Sequence, residues 1–453
     1  MHNPWWEESF DIEHDIKLLE LSKLKYKYEH PLLSEFPIKE DVVLTLRGPR
    51  RIGKTTLIKQ IIRKLIKDKI QRSNVFYFPC DRIIDFNELF FVLQSYIEEK
   101  KVESSKRLFL FLDEISFVTE WQRSIKSLAD SGFLKNTTLL ITGSNFLDLK
   151  TSSERLPGRT GKYFEANKLY LPLNFYQFYE LLNPDWDGNF YYKNTPKLKK
   201  YFKDYLLVGG FPNVINEFYS KNRISPETYE TYIKWIDGDI YKSGKSLDNA
   251  YKLFREINKS LTSKTSYTNF AKKASLVSQR TVQDYIELFE MIFVSYKAEY
   301  FSIEQRKSDF KKNKKFYFLD PFIHNAVIAK ENGFLDDAFN YSKNVLLAES
   351  KLNERVEEVV GASLRRLFSK FYYGSYGKKG LEVDFVGFKK GVYKLFEVKY
   401  GNFFKLSSYK EILENTKDYK GMMIMSKALE KQEGEIEIMP VYKFLSQEMF
   451  RQM

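Results

Sequence analysis

The first third of the chain alternates short apolar runs with amphipathic stretches. Four of the runs have the length of a buried strand, and they lie at residues 41–46, 74–79, 108–112 and 138–141. Residues 56–67 instead repeat apolar positions at helical spacing. Buried strands that alternate with helices are typical of a parallel sheet. The pattern predicts an α/β domain at 31–183, behind a lead segment at 1–30.

Periodicity divides the rest of the chain into three segments. Helical spacing in a Tyr-rich and Lys-rich stretch gives way to a helix-turn-helix pattern, and a helix followed by short strands comes last. The predicted segments are a helical lid or linker at 184–250, a winged helix at 251–335 and a second α/β domain at 336–453. Since the chain is too long for one hydrophobic core, function is expected to be divided among domains.

A glycine-rich loop joins the first predicted strand to the first predicted helix. Its GxxxxGK[ST] spacing in that context defines a Walker A motif, whose glycines let backbone N–H groups face phosphates. The residues predicted to hold the nucleotide are Gly48, Pro49, Arg50, Arg51, Ile52, Gly53, Lys54, Thr55 and Thr56. Lys54 is expected to contact the phosphates of ATP, and Thr55 is expected to bind Mg²⁺. Arg50 and Arg51 either add phosphate contacts or face solvent.

Two carboxylates follow the third apolar run. A buried parallel strand delivers such residues, here Asp113 and Glu114, to the carboxyl edge of its sheet. This is a Walker B arrangement, in which Asp113 would hold Mg²⁺ through water and Glu114 would polarise the attacking water. The two motifs together predict Mg²⁺-dependent hydrolysis of ATP.

Further polar groups follow the fourth apolar run. Ser144 and Asn145 lie where a γ-phosphate sensor would be useful, although turn residues after a strand explain the same letters. Arg159, on a glycine-flanked loop, fits an arginine finger acting in cis or toward a neighbouring subunit, and it fits an ordinary loop arginine equally well. The sequence is therefore consistent with a homo-oligomer or with a protein partner.

The overall charge favours a polyanionic partner. Lys and Arg number 73 against 60 Asp and Glu, which gives a net charge of +13. Nucleic acid, with DNA favoured, is therefore the leading candidate partner. A Lys-rich and Glu-rich proteome would produce the same bias without any ligand.

The remaining composition restricts the compartment and the kinds of site. A single cysteine excludes an internal disulfide framework, and four scattered histidines lack the common zinc-site spacings. The amino terminus has no apolar core behind a basic start, and no stretch approaches the roughly 18 apolar residues that a bilayer span requires. We expect a cytoplasmic protein without a membrane partner.

The series of motifs resembles a known family. It comprises LRGPRRIGKTTL, LFLFLDEIS, LLITGSN, LPGRTGKY, LPLNFYQF and YLLVGGFP. The series is similar to that of prokaryotic and archaeal AAA+ ATPases that carry a C-terminal restriction-endonuclease-like domain, and the similarity covers nearly the whole chain. The resemblance implies an AAA+ core, a helical region, a winged helix and a PD-(D/E)XK nuclease-like domain. The segment 209–212 identifies the family without explaining any chemistry.

Residues 266–294 carry the helix-turn-helix pattern. Ser278 is the expected N-cap of the second helix, whose buried face is expected to consist of Val282, Ile286 and Phe289. If that helix enters a major groove, the groove-facing residues are Gln279, Arg280 and Gln283. The basic cluster 306–315, with Lys311 and Lys312, lies in the position of a wing and would meet phosphates. Inter-domain packing is the alternative role for this unit.

A second set of candidate residues lies in the last α/β domain. Asp384 is set in one predicted strand, and Glu397 and Lys399 share a face of the next because they are two residues apart. With Glu357 on the preceding helix, the set resembles the PD-(D/E)XK nuclease superfamily. The resemblance implies acids that gather Mg²⁺ or Mn²⁺ at a scissile phosphate, and a lysine that stabilises charge. Two neighbouring acids compete with Glu357, namely Glu354 and Glu358.

These observations leave three functions open. The first is an ATPase whose nucleotide cycle rearranges a winged helix and a nuclease-like domain on nucleic acid, with or without metal-dependent cleavage. The second is a nucleotide-dependent switch that binds DNA or protein and cuts nothing, with Asp384 and Lys399 as an ion pair in an inactive relic of the fold. The third is an ATPase that acts on a protein partner alone.

Overall fold

The chain folds into two compact units, residues 1–171 and 172–453. A computed structural model describes residues 2–103, 106–144, 166–186, 195–377, 380–401, 406–416 and 419–451. Within those ranges, no helix is both long enough and apolar enough to cross a bilayer.

A parallel sheet lies at the centre of the first unit. Its strands are β1 Val42–Arg47, β2 Val75–Pro79, β3 Leu108–Asp113, β4 Thr137–Gly143 and β5 Asn167–Leu169. They are ordered β2-β3-β4-β1-β5, and every neighbouring pair is parallel. The α/β class with a parallel sheet is therefore confirmed. Strand β5 is not predicted from the sequence, because three residues are too few to show a periodicity.

In the described part of the first unit, five helices surround this sheet, with α1 and α2 packed against α3. They are α1 Ile16–Ser22, α2 Leu32–Glu35, α3 Lys54–Lys67, α4 Phe86–Glu103 and α5 Trp121–Asp130. Fully buried Trp121 and Ile125 of α5 share a core cluster with Leu110 and Leu112 of β3. The lead segment packs against the sheet of this unit. Its buried Trp5 donates a hydrogen bond of 3.0 Å to the carbonyl of Val75 at the start of β2.

The second unit begins with helices and continues with a large mixed sheet. Its helices are α6 Phe175–Leu182, α7 Thr195–Val208, α8 Pro212–Lys221, α9 Pro226–Lys242, α10 Leu247–Lys259, α11 Tyr267–Lys273, α12 Gln279–Met291, α13 Pro321–Glu331, α14 Ala338–Val345, α15 Glu349–Leu367, α16 Ser407–Glu414 and α17 Val441–Phe444. Its strands are β6 Ser295–Ser302, β7 Lys307–Ser308, β8 Lys315–Phe318, β9 Lys370–Tyr376, β10 Leu381–Lys389, β11 Val392–Lys399, β12 Tyr419–Ser426, β13 Lys431–Glu433 and β14 Ile436–Pro440.

Strand β6 pairs with three other strands. Its first half pairs antiparallel with β8, and its second half pairs parallel with β9 and antiparallel with β7. The main sheet runs β13-β14-β12-β11-β10-β9-β6-β7, with β8 attached through β6. The segments 251–335 and 336–453, which periodicity separates into two domains, therefore contribute strands to one hydrogen-bonded sheet.

The helix-turn-helix segment has the local structure expected from its sequence. Ser278 precedes α12, and its hydroxyl accepts a hydrogen bond of 3.1 Å from the backbone N–H of Thr281. Val282, Ile286 and Phe289 are fully buried on the inner face of α12. A serine N-cap supplies a partner for one of the N–H groups that a helix start leaves unpaired.

The glycine pair at 209–210 has a structural role. Asp320 is buried and caps α13, with one carboxylate oxygen accepting hydrogen bonds from the N–H groups of Phe322 and Ile323 at 2.9 and 3.3 Å. The other oxygen accepts from the N–H of Gly210 at 2.7 Å. This carboxylate therefore ties the start of α13 to the turn between α7 and α8, within the second unit.

Candidate functional site

The glycines of the phosphate-binding loop are required by its backbone. The loop connects β1 to α3, and Gly53 at its end has φ of +111°, a conformation that residues with a side chain rarely adopt. A Cβ on Gly48 would lie 2.0 Å from the carbonyl oxygen of Tyr170. Both positions therefore exclude larger residues for steric reasons.

Lys54 is held inside the curl of this loop. It is 4% exposed, and its Nζ donates hydrogen bonds of 3.0 and 3.1 Å to the carbonyl oxygens of Gly48 and Pro49. The same ammonium lies 3.5 Å from Oε1 of Glu114. The loop carbonyls and Glu114 therefore orient this buried positive charge.

The carboxylate of Asp113 gathers side chains from three other elements. Oδ2 accepts hydrogen bonds from the hydroxyls of Thr55 at 2.7 Å and Tyr77 at 3.0 Å, and Oδ1 accepts from Thr142 at 2.5 Å. Burial, reinforced by the negative charge of Asp113, raises the pKa of Tyr77. Thr55 and Asp113 bring two oxygen ligands together, and Mg²⁺ prefers such ligands, so these residues fit a magnesium ion.

Two residues position Glu114, namely Thr142 in β4 and Ser144 directly after that strand. Its φ is +54°, and its backbone N–H donates a hydrogen bond of 3.1 Å to the hydroxyl of Thr142. The hydroxyl of Ser144, directly after the strand, donates to Oε2 of Glu114 at 3.2 Å. The candidate sensor Ser144 is therefore brought to the candidate catalytic carboxylate.

The other loop residues differ in exposure. Ile52 is buried, Arg51 is exposed, and the half-buried guanidinium of Arg50 lies 5.8 Å from the ring centroid of Phe117. Thr56 lies half-buried in the first turn of α3. Two candidates of the sequence analysis lie outside the described residues, namely Asn145 and Arg159.

Tyr77 and Thr142 are the site residues that sequence reasoning missed. Both belong to the buried strands that flank β3. Thr142 lies in the LLITGSN motif but is given no role there, and Tyr77 lies in no distinguishing motif. The available signal was positional, because polar residues at the carboxyl ends of neighbouring parallel strands share one edge of the sheet.

The second unit brings the predicted nuclease-like residues together on β10, β11 and α15. The backbone N–H of Asp384 donates to Oε2 of Glu397 at 3.0 Å, and the N–H of Val398 donates to Oδ2 of Asp384 at 3.0 Å. Oε1 of Glu397 pairs with the ammonium of Lys399 and accepts from the hydroxyl of Tyr409 at 2.9 Å. Glu397 is thus bonded at both oxygens to groups of the chain.

A lysine that was expected elsewhere lies at the centre of this set. Nζ of Lys315 lies 2.9 Å from Oδ1 of Asp384, 3.3 Å from Oε1 of Glu357 and 3.0 Å from Oε1 of Glu382. The sequence predicts Lys315 in a wing that meets phosphates, and that prediction is wrong, since the residue is 1% exposed. Lys315 begins β8, so strand geometry turns its side chain toward the carboxylates.

Burial and the charges of neighbouring groups shift the pKa values of the residues in this set. Burial and the charge of Asp384 raise the pKa values of both Glu357 and Glu397. Burial also opposes ionisation of Asp384, but Lys315 and Lys399 outweigh it and lower the pKa of that carboxyl. For Lys315, the neighbouring carboxylates outweigh the effect of burial and hold the pKa well above its usual value.

The expected metal ligands Asp384, Glu397 and Glu357 do not fit a metal ion in this arrangement. Tyr317 donates to Oε1 of Glu357 at 2.7 Å, and Lys315 lies against that oxygen as well. Among the residues that the structure describes, no group of three or more His, Cys, Asp or Glu side chains is placed to hold a metal.

The candidate nucleic-acid residues lie on α12 and on the turn before β8. Gln279 and Arg280 are exposed, and Arg280 pairs with Asp284 at 3.2 Å on the same helix. Gln283 is half-buried and donates to Glu287 at 2.9 Å. The turn exposes Lys311 and Lys312, whereas the adjacent Lys314 is buried and lies 3.2 Å from Glu299. Of the basic cluster 306–315, Lys314 and Lys315 are therefore turned inward.

Comparison with known proteins shows the type of domain that contains the first of these sites. Residues 40–179 match a family model described as an AAA domain, and residues 199–333 match one described as a domain of unknown function, DUF8612. The chain therefore contains an AAA-type P-loop ATPase domain.

Two relatives and one solved structure are similar to larger parts of the chain. An uncharacterized protein of Haemophilus influenzae is 26% identical over 449 residues, which cover 94% of this chain and 100% of that protein. The uncharacterized protein MJ1544 of Methanocaldococcus jannaschii is 26% identical over 328 residues, 66% of this chain and 70% of that protein. The ORC2 protein of Aeropyrum pernix, solved in ADPNP-ADP complexes, is 11% identical with a TM-score of 0.41, over 75% of this chain and 98% of that one.

The contacts of Thr142 lead to a prediction about turnover. Thr142→Val removes the hydroxyl that bonds both Asp113 and the N–H of Glu114, so ATP turnover should fall about ten- to hundredfold. Binding of a fluorescent ATP analogue should change much less, because Lys54 and the loop are untouched. Steady-state turnover and binding titrations measure the two effects.

Thr138→Val is the matched control for that prediction. Thr138 lies near the other end of β4, is equally buried, and donates to the carbonyl of Glu40 at 3.0 Å. Both variants should lose stability in urea unfolding, whereas only Thr142→Val should lose turnover. Equal turnover in the two variants would contradict a role of Thr142 in hydrolysis.

Proposed function

We propose that the AAA-type P-loop ATPase domain hydrolyses ATP with Mg²⁺ and that this cycle rearranges a winged-helix and nuclease-like module on nucleic acid. One observation carries the ATPase part: Lys54, Thr55, Asp113 and Glu114 converge at the carboxyl edge of one parallel sheet. That edge is where open α/β sheets bind their ligands.

Each residue at this edge has a distinct role in the proposal. Lys54 and the N–H groups of the loop bind the phosphates, since the start of α3 adds positive potential. Thr55 and Asp113 hold Mg²⁺, which when bound neutralises charge on the phosphate oxygens. Glu114 orients the attacking water, while Thr142 and Ser144 orient Glu114. Phosphoryl transfer depends mainly on such positioning and charge stabilisation.

The proposed contact with nucleic acid is supported by charge and exposure. The chain carries a net charge of +13, and Arg280, Lys311 and Lys312 are exposed on the helix-turn-helix segment and on the turn before β8. Exposed cations of this kind contact phosphates, whereas the exposed amide of Gln279 can read a base edge. The domain boundaries proposed for this module are 251–335 for the winged helix and 336–453 for the nuclease-like part.

Two substitutions test the ATP site. Lys54→Ala should lower both ATP binding and turnover, the latter by about 10²-fold or more, because it removes the cation from the phosphates. Glu114→Gln should retain bound ATP while turnover falls roughly 10²- to 10⁴-fold, because the group that orients water loses its charge. Single-turnover hydrolysis and filter retention of labelled ATP measure the two outcomes.

The control is Lys67→Ala, which changes an exposed lysine in the last turn of α3 and should behave as wild type. Normal turnover in either site variant would overturn the assignment.

A salt series tests the binding of nucleic acid. Removing one lysine that neutralises a phosphate should reduce the slope of log K against log salt by about 0.9, so the double variant Lys311→Ala and Lys312→Ala should reduce it by roughly 1.8. Fluorescence anisotropy with duplex DNA at several KCl concentrations measures the slope. The control with the same change in net charge is Lys234→Ala and Lys252→Ala, two lysines already paired with acids on their own helices. If the two double variants give the same slope, the turn before β8 does not bind phosphates.

Phosphodiester cleavage is the second candidate function. It is favoured by the placement of Asp384, Glu397 and Lys399 beside one another on two adjacent strands. It requires a metal ion to displace the lysines that pair with these acids in the observed arrangement. A nuclease of this kind should cut a panel of single-stranded, duplex and branched DNA with Mg²⁺ or Mn²⁺, and the isosteric Asp384→Asn should abolish cutting without lowering ATP turnover. DNA binding and ATP turnover without cutting would leave the nucleotide-dependent switch as the function.

A further inference from the structure

The ammonium of Lys315 sits where the carboxylates of the second unit converge. It lies within hydrogen-bonding or ion-pair distance of three acids on two elements of the fold: Glu357 on α15, and Glu382 and Asp384 on β10. A protonated lysine has three N–H donors and no acceptor. Three donors facing three carboxylates satisfy the cation fully, which a buried charge requires.

Two oxygens of these acids are also bonded to other groups of the chain. Oδ2 of Asp384 accepts from the N–H of Val398, and Oε1 of Glu357 accepts from the hydroxyl of Tyr317. On the far side of Asp384, Glu397 is bonded to Lys399, Tyr409 and the N–H of Asp384. A divalent ion would therefore have to displace an ammonium that already neutralises these acids.

The backbone fixes Lys315 in this place. Its strand β8 pairs with β6 in the register that sets Lys315 opposite Ala298. The preceding residue, Lys314, is held by Glu299 and by a backbone pairing with Thr265. The ring of Tyr373 lies 5.9 Å from the ammonium of Lys315, and its hydroxyl donates to the carbonyl of Asn313 at 2.6 Å. These contacts hold the start of β8, and with it the side chain of Lys315, beside the carboxylates.

We propose that Lys315 is the resident cation of this carboxylate cluster and that it excludes divalent metal ions from the nuclease-like site. The proposal competes with the second candidate function, and it rests on the assignment, made from the sequence, of Asp384 and Glu357 as the acids that would gather a metal ion. Because β8 follows directly on the turn with Lys311 and Lys312, the excluding residue belongs to the same segment as the proposed phosphate contacts.

Mn²⁺ binding to the nucleotide-free full chain tests the proposal. Free Mn²⁺ is counted by electron paramagnetic resonance, and each protein is compared with the same protein carrying Asp384→Asn, so that only ions depending on Asp384 are scored. Wild type should show no such ion up to about 1 mM, the weak end of carboxylate sites. Lys315→Met, which keeps the length of the side chain and removes its charge, should gain about one Mn²⁺ per chain, because the acids then lack a cation.

Further variants separate the charge of Lys315 from its packing. Lys315→Arg should behave as wild type, whereas Lys315→Gln should behave as Lys315→Met. Circular dichroism and thermal unfolding establish which variants are folded. An Asp384-dependent Mn²⁺ ion in wild type below about 1 mM overturns the proposal whether or not any variant folds. The proposal is also overturned if Lys315→Met or Lys315→Gln is folded and gains no Asp384-dependent Mn²⁺ ion.

The results also distinguish this proposal from the proposed functions. Asp384-dependent cutting with bound Mn²⁺ in wild type would establish the nuclease and overturn the role of Lys315. No ion and no cutting in wild type, with an ion gained in Lys315→Met, would support that role and remove the second candidate. ATP turnover reports on the first unit and is measured separately, so its absence would count against the ATPase assignment alone.

Discussion

The hydrogen bonds to the carboxylate of Asp113 are the interaction on which the nucleotide site depends. A buried carboxylate is costly unless its oxygens are bonded, and here Tyr77 of β2, Thr142 of β4 and Thr55 of α3 bond them. These contacts fix three elements around the end of β3. Thr142 also bonds the N–H of Glu114, so the same network that satisfies Asp113 sets the position of the second acid.

The second unit also buries carboxylates, but there they are compensated by lysines instead of by neutral hydroxyl groups. Several acids are buried together, and the chain supplies the compensating cations itself, with Lys315 on Glu357 and Asp384 and Lys399 on Glu397. Removing one partner of such a set leaves an uncompensated buried charge, which is far more costly than breaking an exposed ion pair. The cluster can therefore be structural and still retain the residue types of a nuclease.

Much of the local structure could be predicted from the sequence. Four apolar runs became β1 to β4 within about two residues, since buried parallel strands need continuous hydrophobicity. The cap at Ser278 and the inner face of α12 also followed from local pattern. The pairing of β6 with β9 did not, because each strand shows its own periodicity but not its partner about 70 residues away. The candidate Arg159 lies outside the described residues.

The sequence by itself determined the loop chemistry at Gly48 to Thr55, the acids that end β3 and the carboxylate and lysine spacing on β10 and β11. Tertiary structure decided which side chains complete those sites. It turned Lys315 inward from a basic run that reads as surface, and it brought Tyr77 and Thr142 to Asp113. The physical reason is that a motif records neighbours along the chain, whereas the partners of a buried charge come from strands that are adjacent only after the sheet has formed.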